Sequence, residues 1–396
     1  MEVVSPQTQN KNQKGVALIV VLSLVTVLVT LMSDLLFQSE ITSRESQGEF
    51  NRLQAEISAV TGAQLAKLLL NLHMQIDSMT QELSKPDSAT LKNIPENMRG
   101  MVQAQVSGVK TMLREQLGGK EIFEILNGLP IGNEGLATLK DLTKIDIGSF
   151  DKGLEDALKS IPGYFVIKTS SENAKFNLNS LSREYRNQGR AALLRILSGD
   201  KEKKLLEQKK IRSEDLVDYV TDYVSSSVER DKTMPYDLFK FTHKSKNAPL
   251  ESLEELRRIP GFHDDDIYSV FSPYFTVWPM DVPREFIDIN RAPIELLSAI
   301  FTKENQEVQD EVWDKIENMR ASGQQILDTR DKSKYIPLAD DPTGKDILSL
   351  LTGIESNVFK VEVQGFFQGI HRTYVSVISL KDKRESKMRT LYQRLY

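Results

Sequence analysis

Residues 16–33, VALIVVLSLVTVLVTLMS, form an uncharged apolar run that begins directly after Lys14-Gly15. As a helix, eighteen residues cover about 27 Å, close to the roughly 30 Å hydrocarbon core of a bilayer. Lys11 and Lys14 precede the run and its first charge afterwards is Asp34. That asymmetry predicts a cytoplasmic N-terminus, with everything after Asp34 across the membrane. A secretory signal would have a shorter apolar core followed by a small-residue cleavage site. Here the chain runs instead into QSEITSRESQGEFNRLQAEISAVTGAQ, which still reads as helix.

The sequence has 396 residues, net charge −5, no cysteine and four histidines. The 360 or so residues beyond the apolar run suffice for two or three domains with cores of their own. The small net charge gives no global attraction for nucleic acid. Without cysteine there are no disulfides, thiol nucleophiles or Cys-based zinc sites. His73, His243, His263 and His371 lack metal-ligand spacing, and no hydrolase, zincin or P-loop motif occurs. A non-enzymatic protein is expected.

Past Asp34, Phe50, Leu53, Ile57 and Val60, then Leu65, Leu68, Leu69 and Leu72, recur at helical spacing. They predict a stalk over 37–72 continuous with a membrane helix over 16–36. Residues 73–160, rich in Met, Gln and Lys, read as a variable, mostly helical insertion. GYFVIKTSSENAKFNLNSL places a first β-hairpin at 161–181, turning at Ser-Ser-Glu-Asn. A second hairpin is expected at 357–382, where Phe359, Val361 and Val363 alternate with polar residues and Gly369 marks the turn. Residues 383–396 read as a C-terminal tail. The economical fold is α+β: the N-terminal helix covers one antiparallel sheet built from both hairpins, and a large α-helical domain, 182–356, is inserted between them.

Two segments of that domain, LEELRRIPGFHDDD and DINRAPIELLSAI, each look like half of a helix-hairpin-helix unit. In the nucleic-acid-binding form the P-G-x-G turn offers backbone N–H groups to a phosphate. His263 replaces the second glycine and Asp264, Asp265 and Asp266 would repel a phosphate, so no nucleic acid is expected there. Acidic residues at 215–237 invite a calcium reading, since carboxylate oxygens at this density can hold the ion, although no EF-hand pattern is present.

Lys14-Gly15, the basic leader and an apolar segment continuous with a soluble helix resemble the N-terminus of type IV pilins and type II secretion pseudopilins. A prepilin peptidase cleaves those chains after the glycine. With the split sheet, its helical insertion, KNAPLESLEELRRIPGF and FIDINRAPIELLSAI, the chain resembles the type II secretion system minor pseudopilin K family (general secretion pathway protein K). The resemblance spans the N-terminus and roughly 160–380 and leaves 73–160 unmatched.

It implies a leader over 1–15, cleavage between Gly15 and Val16 and methylation of the new terminus. Pilins carry Glu at the fifth mature position, where it balances a neighbour's terminal ammonium in the apolar filament core. An unpaired buried charge there would cost several kcal/mol. Val20 stands at that position, a departure shared with the pseudopilin K family and suited to a subunit with nothing above it. The resemblance further implies calcium ligands in an acidic segment like D-W-x-D-x-D followed by Gly-Ala-Glu. Asp218-Tyr219 matches its first two positions, Asp222 is one residue out of step, Glu229 stands for the later acid, and Gly-Ala-Glu is missing. The expected role is a tip subunit that nucleates or caps a pseudopilus for export across the outer membrane. Its partners would be other minor pseudopilins, pseudopilus subunits, the inner-membrane secretion platform and the prepilin peptidase. The alternative is a minor pilin of a type IV pilus or DNA-uptake system.

Overall fold

The computed structural model describes residues 10–84, 126–132, 152–182, 184–226, 244–282, 286–301, 306–322, 324–326, 329–336, 341–380 and 388–396, with Phe123, Arg284 and Leu338. The first element, α1 (Asn10–Ser84), is one unbroken helix. It outruns the expected end at residue 72 by three turns and enters the segment read as an insertion. From residue 18 to residue 47 it is exposed, and its C-terminal half lies on a sheet.

That sheet is antiparallel, with five strands in the order β1-β2-β7-β8-β9: β1 (Pro130–Gly132), β2 (Tyr164–Ser171), β7 (Val358–Phe367), β8 (Ile370–Ser379) and β9 (Arg389–Leu395). β2 runs beside β7 from Tyr164 opposite Phe366 to Ser171 opposite Phe359, so strands about 190 residues apart in sequence are neighbours. β7 and β8 form the expected second hairpin. Gln368 and Gly369 both have positive φ (44° and 80°), the two-residue turn whose twist matches paired strands and which suits Gly at its second position.

The expected first hairpin does not form. After β2 the chain takes a 3-10 turn at Glu172–Ala174, and β3 (Phe176–Asn177) pairs in parallel with the distant β4 (Phe275–Thr276). Buried asparagines explain the departure. Asn173 Oδ1 accepts from the N–H groups of Asn357 and Val358, and its Nδ2 donates to Phe286 O. Asn179 bridges the carbonyls of Leu250 and Val277. These long-range bonds override a turn signal that is local only. The expected C-terminal tail contains β9, which completes the sheet against β8 with a bulge at Val377/Ile378. β1 adds the opposite edge, and with Phe123, Leu126, Leu154 and Leu158 draws parts of 73–160 into the same core.

The face α1 presents to the sheet is the expected one from Leu65 onward, and a different one before it. Ala55, Ala59, Ala63 and Ala66 are buried with Leu65, Leu69, Leu70 and Leu72, while Leu53 and Ile57 are exposed and Phe50, half exposed, meets Phe367 of β7 edge-on with ring centroids 6.4 Å apart. Backbones meet closely here. A Cβ on Gly365 of β7 would lie 2.2 Å from Ala55 O and 2.4 Å from Ala59 N. Small residues on the helix and a glycine in the strand let the two come together, so the larger side chains are displaced outward.

Between β2 and β7 sits the inserted domain, with its own core. Its helices are α3 (Arg186–Leu197), α4 (Asp200–Gln208), α5 (Ser213–Val224), α6 (Asp265–Phe271), α7 (Ile294–Phe301), α8 (Gln306–Ala321), α9 (Lys332–Tyr335) and α10 (Pro342–Leu350); α2 (Lys152–Lys159) lies before β2. A second parallel pair, β5 (Ile287–Asp288) with β6 (Thr352–Gly353), stands where the domain meets the sheet.

Candidate functional site

The largest functional feature is the exposed surface of α1. Between Leu18 and Met32 every Leu, Ile and Val is more than half exposed, a surface that water penalises and a bilayer centre rewards at roughly 0.3–0.6 kcal/mol per residue. The helix is long and apolar enough to cross a membrane, and its apolar window is entirely unburied. Its few polar side chains are satisfied internally. Ser23 Oγ donates to Ile19 O, Thr26 Oγ1 to Leu22 O and Thr30 Oγ1 to Thr26 O, at 2.8–2.9 Å. Such bonds to the preceding turn let hydroxyls enter hydrocarbon without an orphaned donor. Beyond Asp34 the surface becomes polar, with Glu40 bonded to Arg44 at 2.6 Å, before the apolar stripe resumes at Phe50, Leu53 and Ile57.

Gly15 and Val16 lie within the helical backbone of α1. Val20, 59 % exposed, belongs to its outward surface. Of the calcium residues, Asp218 and Asp222 stand one turn apart on α5. Asp218 on α5 is hydrogen-bonded by Arg190 of α3, and Asp222, one turn further, is fully buried. Glu229 lies outside the described residues. Among the described residues no three acidic or histidine side chains converge as a metal site.

The turn at Pro260-Gly261 is occupied by the protein itself. Gly261 N–H donates to His263 Nδ1 at 3.2 Å, and a Cβ on Gly261 would meet Leu216 Cδ2 at 2.3 Å. Asp264 caps α6 by accepting from the Asp266 and Ile267 N–H groups, while Lys209 Nζ donates to both Asp264 and Asp266 at 2.7–2.8 Å. The Lys209 bond holds the Asp264 carboxyl below its ordinary range, and the two carboxylates push Lys209 up to about 12. Arg257 pairs with Asp265. The acids that would repel a phosphate are thus partners in a structural turn.

Sequence reasoning missed the junction where the inserted domain leaves and rejoins the sheet. Ser171 Oγ lies 2.6 Å from Ser356 Oγ, and Ser356 donates to Asp288 Oδ2 at 2.6 Å. Burial raises the Asp288 carboxyl above its ordinary value, opposed by Arg291 and the Ser356 hydroxyl. Arg291 also lies over the rings of Phe123 and Phe359. Nothing in the spacing of these residues marks them; Ser171 and Ser356 are 185 positions apart, and Asp288 and Ser356 are 68 apart.

A helix with a membrane-length apolar end, docked by its other end on an antiparallel sheet, defines an α+β protein with one helix long and apolar enough to cross a membrane. Residues 174–280 match the family model described as type II secretion system (T2SS), protein K. No curated relative matches. Among solved structures, a chain of the GspK-GspI-GspJ complex from the enterotoxigenic Escherichia coli type 2 secretion system is similar. The identity is 17 %, the TM-score 0.43, and the match covers 59 % of this chain and 80 % of that one.

Proposed function

We propose that this chain is a minor pseudopilin that caps or nucleates the tip of a type II secretion pseudopilus. The observation that carries the reading is the two-faced α1. One face is spent on the sheet, and the other stays apolar from Leu18 to Ile57, broken only by a polar belt near residues 38–49. Such a helix has a bilayer to sit in and a second surface left for other apolar helices. Prepilin peptidase is the proposed processing enzyme at Gly15-Val16, leaving the helix on the mature protein. The inner membrane is the proposed location, with the sheet and inserted domain in the periplasm. Other minor pseudopilins are the proposed partners, with the secretion platform at the membrane.

Val20 supports the tip assignment. An apolar residue at the fifth mature position asks for no ammonium partner from a subunit above, and the bulk of 182–356 would obstruct one. No catalytic role is proposed. The test is complementation of a strain lacking this chain: restored export and pseudopilus assembly by the full chain support the reading. Export that proceeds normally without the chain refutes it.

A further inference from the structure

β1 pairs only with Tyr164, Phe165 and Val166, so the edge of β2 beyond it needs other partners for its main-chain groups. One side chain supplies two of them. Asn127 Oδ1 accepts from Thr169 N–H at 2.7 Å, and Asn127 Nδ2 donates to Thr169 O at 2.9 Å. These are the two bonds that a neighbouring strand would make. The next residue adds a third: Gly128 N–H donates to Ile167 O at 2.9 Å, from a backbone whose φ of 79° suits glycine.

Asn127-Gly128 is also the one Asn-Gly pair in the sequence. Glycine has no Cβ to keep its main-chain nitrogen away from the side-chain carbonyl carbon that precedes it. That nitrogen, once it gives its proton to solvent, can attack Cγ of Asn127. The bond from Cγ to Nδ2 breaks, and the amide leaves as ammonia after taking up a proton. Water then opens the five-membered imide, to aspartate if it adds at the main-chain carbonyl and to isoaspartate if it adds at Cγ. Water is at hand, because Asn127 through Pro130 are exposed. In the folded chain, however, the Gly128 N–H is engaged by Ile167, and turning Cγ towards that nitrogen gives up both bonds to Thr169.

We propose that Asn127 is a spontaneous deamidation site, held back by the Asn127–Thr169 and Gly128–Ile167 pairing and released when this edge of the sheet opens. The change runs one way. An aspartate has no donor for Thr169 O and sets a negative charge against it, so a converted edge is left with an unmet acceptor. What loosens is the attachment of Phe123, Leu126 and Ile131 to the core under the sheet.

The test holds the full chain in detergent at mildly alkaline pH, with and without denaturing guanidinium chloride. The peptide containing Asn127 is followed by mass spectrometry. Three hydrogen bonds at an exposed edge should slow the folded chain roughly ten- to a thousandfold relative to the denatured one. Ile131→Ala, which thins the buried anchor of β1, should speed the folded reaction several-fold and leave the denatured rate unchanged. Asn127→Asp, the reaction product, should show faster amide hydrogen exchange across 164–171 than the parent chain. Equal rates in the folded and denatured chains overturn the protection. A folded rate that Ile131→Ala leaves unchanged, zero included, overturns release by opening of this edge. Unaltered exchange across 164–171 in Asn127→Asp overturns the one-way loosening.

Discussion

Gly365→Ala tests why α1 buries its alanines and exposes its larger side chains. The new Cβ would stand 2.2 Å from Ala55 O, 2.4 Å from Ala59 N and 2.9 Å from Ala59 Cα. All three are backbone atoms of a continuous helix, so no flexible side-chain tip can yield. The helix must lift, and a gap of 0.5–1 Å already forfeits a quarter to a half of each dispersion contact along the seam. Overpacking of this kind costs about 1–3 kcal/mol, and a backbone clash belongs at the upper end. At about 2–4 °C per kcal/mol, the Tm of the full chain in detergent should fall by about 6–12 °C. Two controls give the ordering its force. Gly62→Ala meets the buried side chains of Phe165 and Val363 at 2.6–2.8 Å, which must repack, but gains about 1 kcal/mol of helix propensity and meets no strand backbone, so its Tm should fall less than that of Gly365→Ala. Gly48→Ala meets nothing within 4 Å on the exposed part of the same helix and should raise Tm slightly. A Gly365→Ala protein with unchanged Tm, or one less affected than Gly62→Ala, would refute the close-approach account.

Three further outcomes follow from the inserted domain. Arg195 donates to both carboxylate oxygens of Asp341 at 2.8–2.9 Å, and to Ile300 O, inside the packing of α3, α7 and α10. Asp341→Asn should cost about 3–5 kcal/mol by stranding the arginine, read by the fluorescence of the two tryptophans, Trp278 and Trp313, during urea unfolding; Arg195→Met/Asp341→Leu should recover much of it. Asp288 has a raised folded-state value, so the folded state holds its proton to higher pH than the unfolded chain. Its contribution to stability therefore weakens as pH rises from the ordinary aspartate range through the folded value, and Asp288→Asn should remove that slope; unfolding midpoints with the same slope in both proteins would contradict it. For calcium, the ligand set implied by resemblance predicts a Ca²⁺-dependent rise in Tm that Asp218→Asn and Glu229→Gln abolish; identical traces with Ca²⁺ and with chelator would remove calcium from the account.

What could be read from the sequence follows from the range over which each signal acts. The apolar run at 16–33, the alternation at Phe359, Val361 and Val363, and the Gly369 turn are local patterns, and the structure forms the helix and hairpin they describe. The covered face of α1 was legible at Leu65, Leu69 and Leu72, and before them it was not. Phe50, Leu53 and Ile57 look like core, yet the seam selects Ala55, Ala59 and Ala63 because Gly365, three hundred residues away, admits the helix backbone. β9 was read as a tail because an edge strand carries polar and apolar residues without strict alternation. The Ser-Ser-Glu-Asn turn was misread as a hairpin because Asn173 bonds to Phe286, Asn357 and Val358. Of the candidate site, the apolar helix was plain in the sequence, whereas the junction around Asp288 exists only once distant segments are brought together.

The claim on which the account depends is that α1 remains on the mature protein as its anchor and its contact surface. Mass spectrometry of the N-terminal peptide from membrane-extracted protein tests this most directly. The account predicts a chain that starts at Val16 and bears a methylated amino group. A chain that retains Met1, or one that begins beyond Asp34, would contradict it.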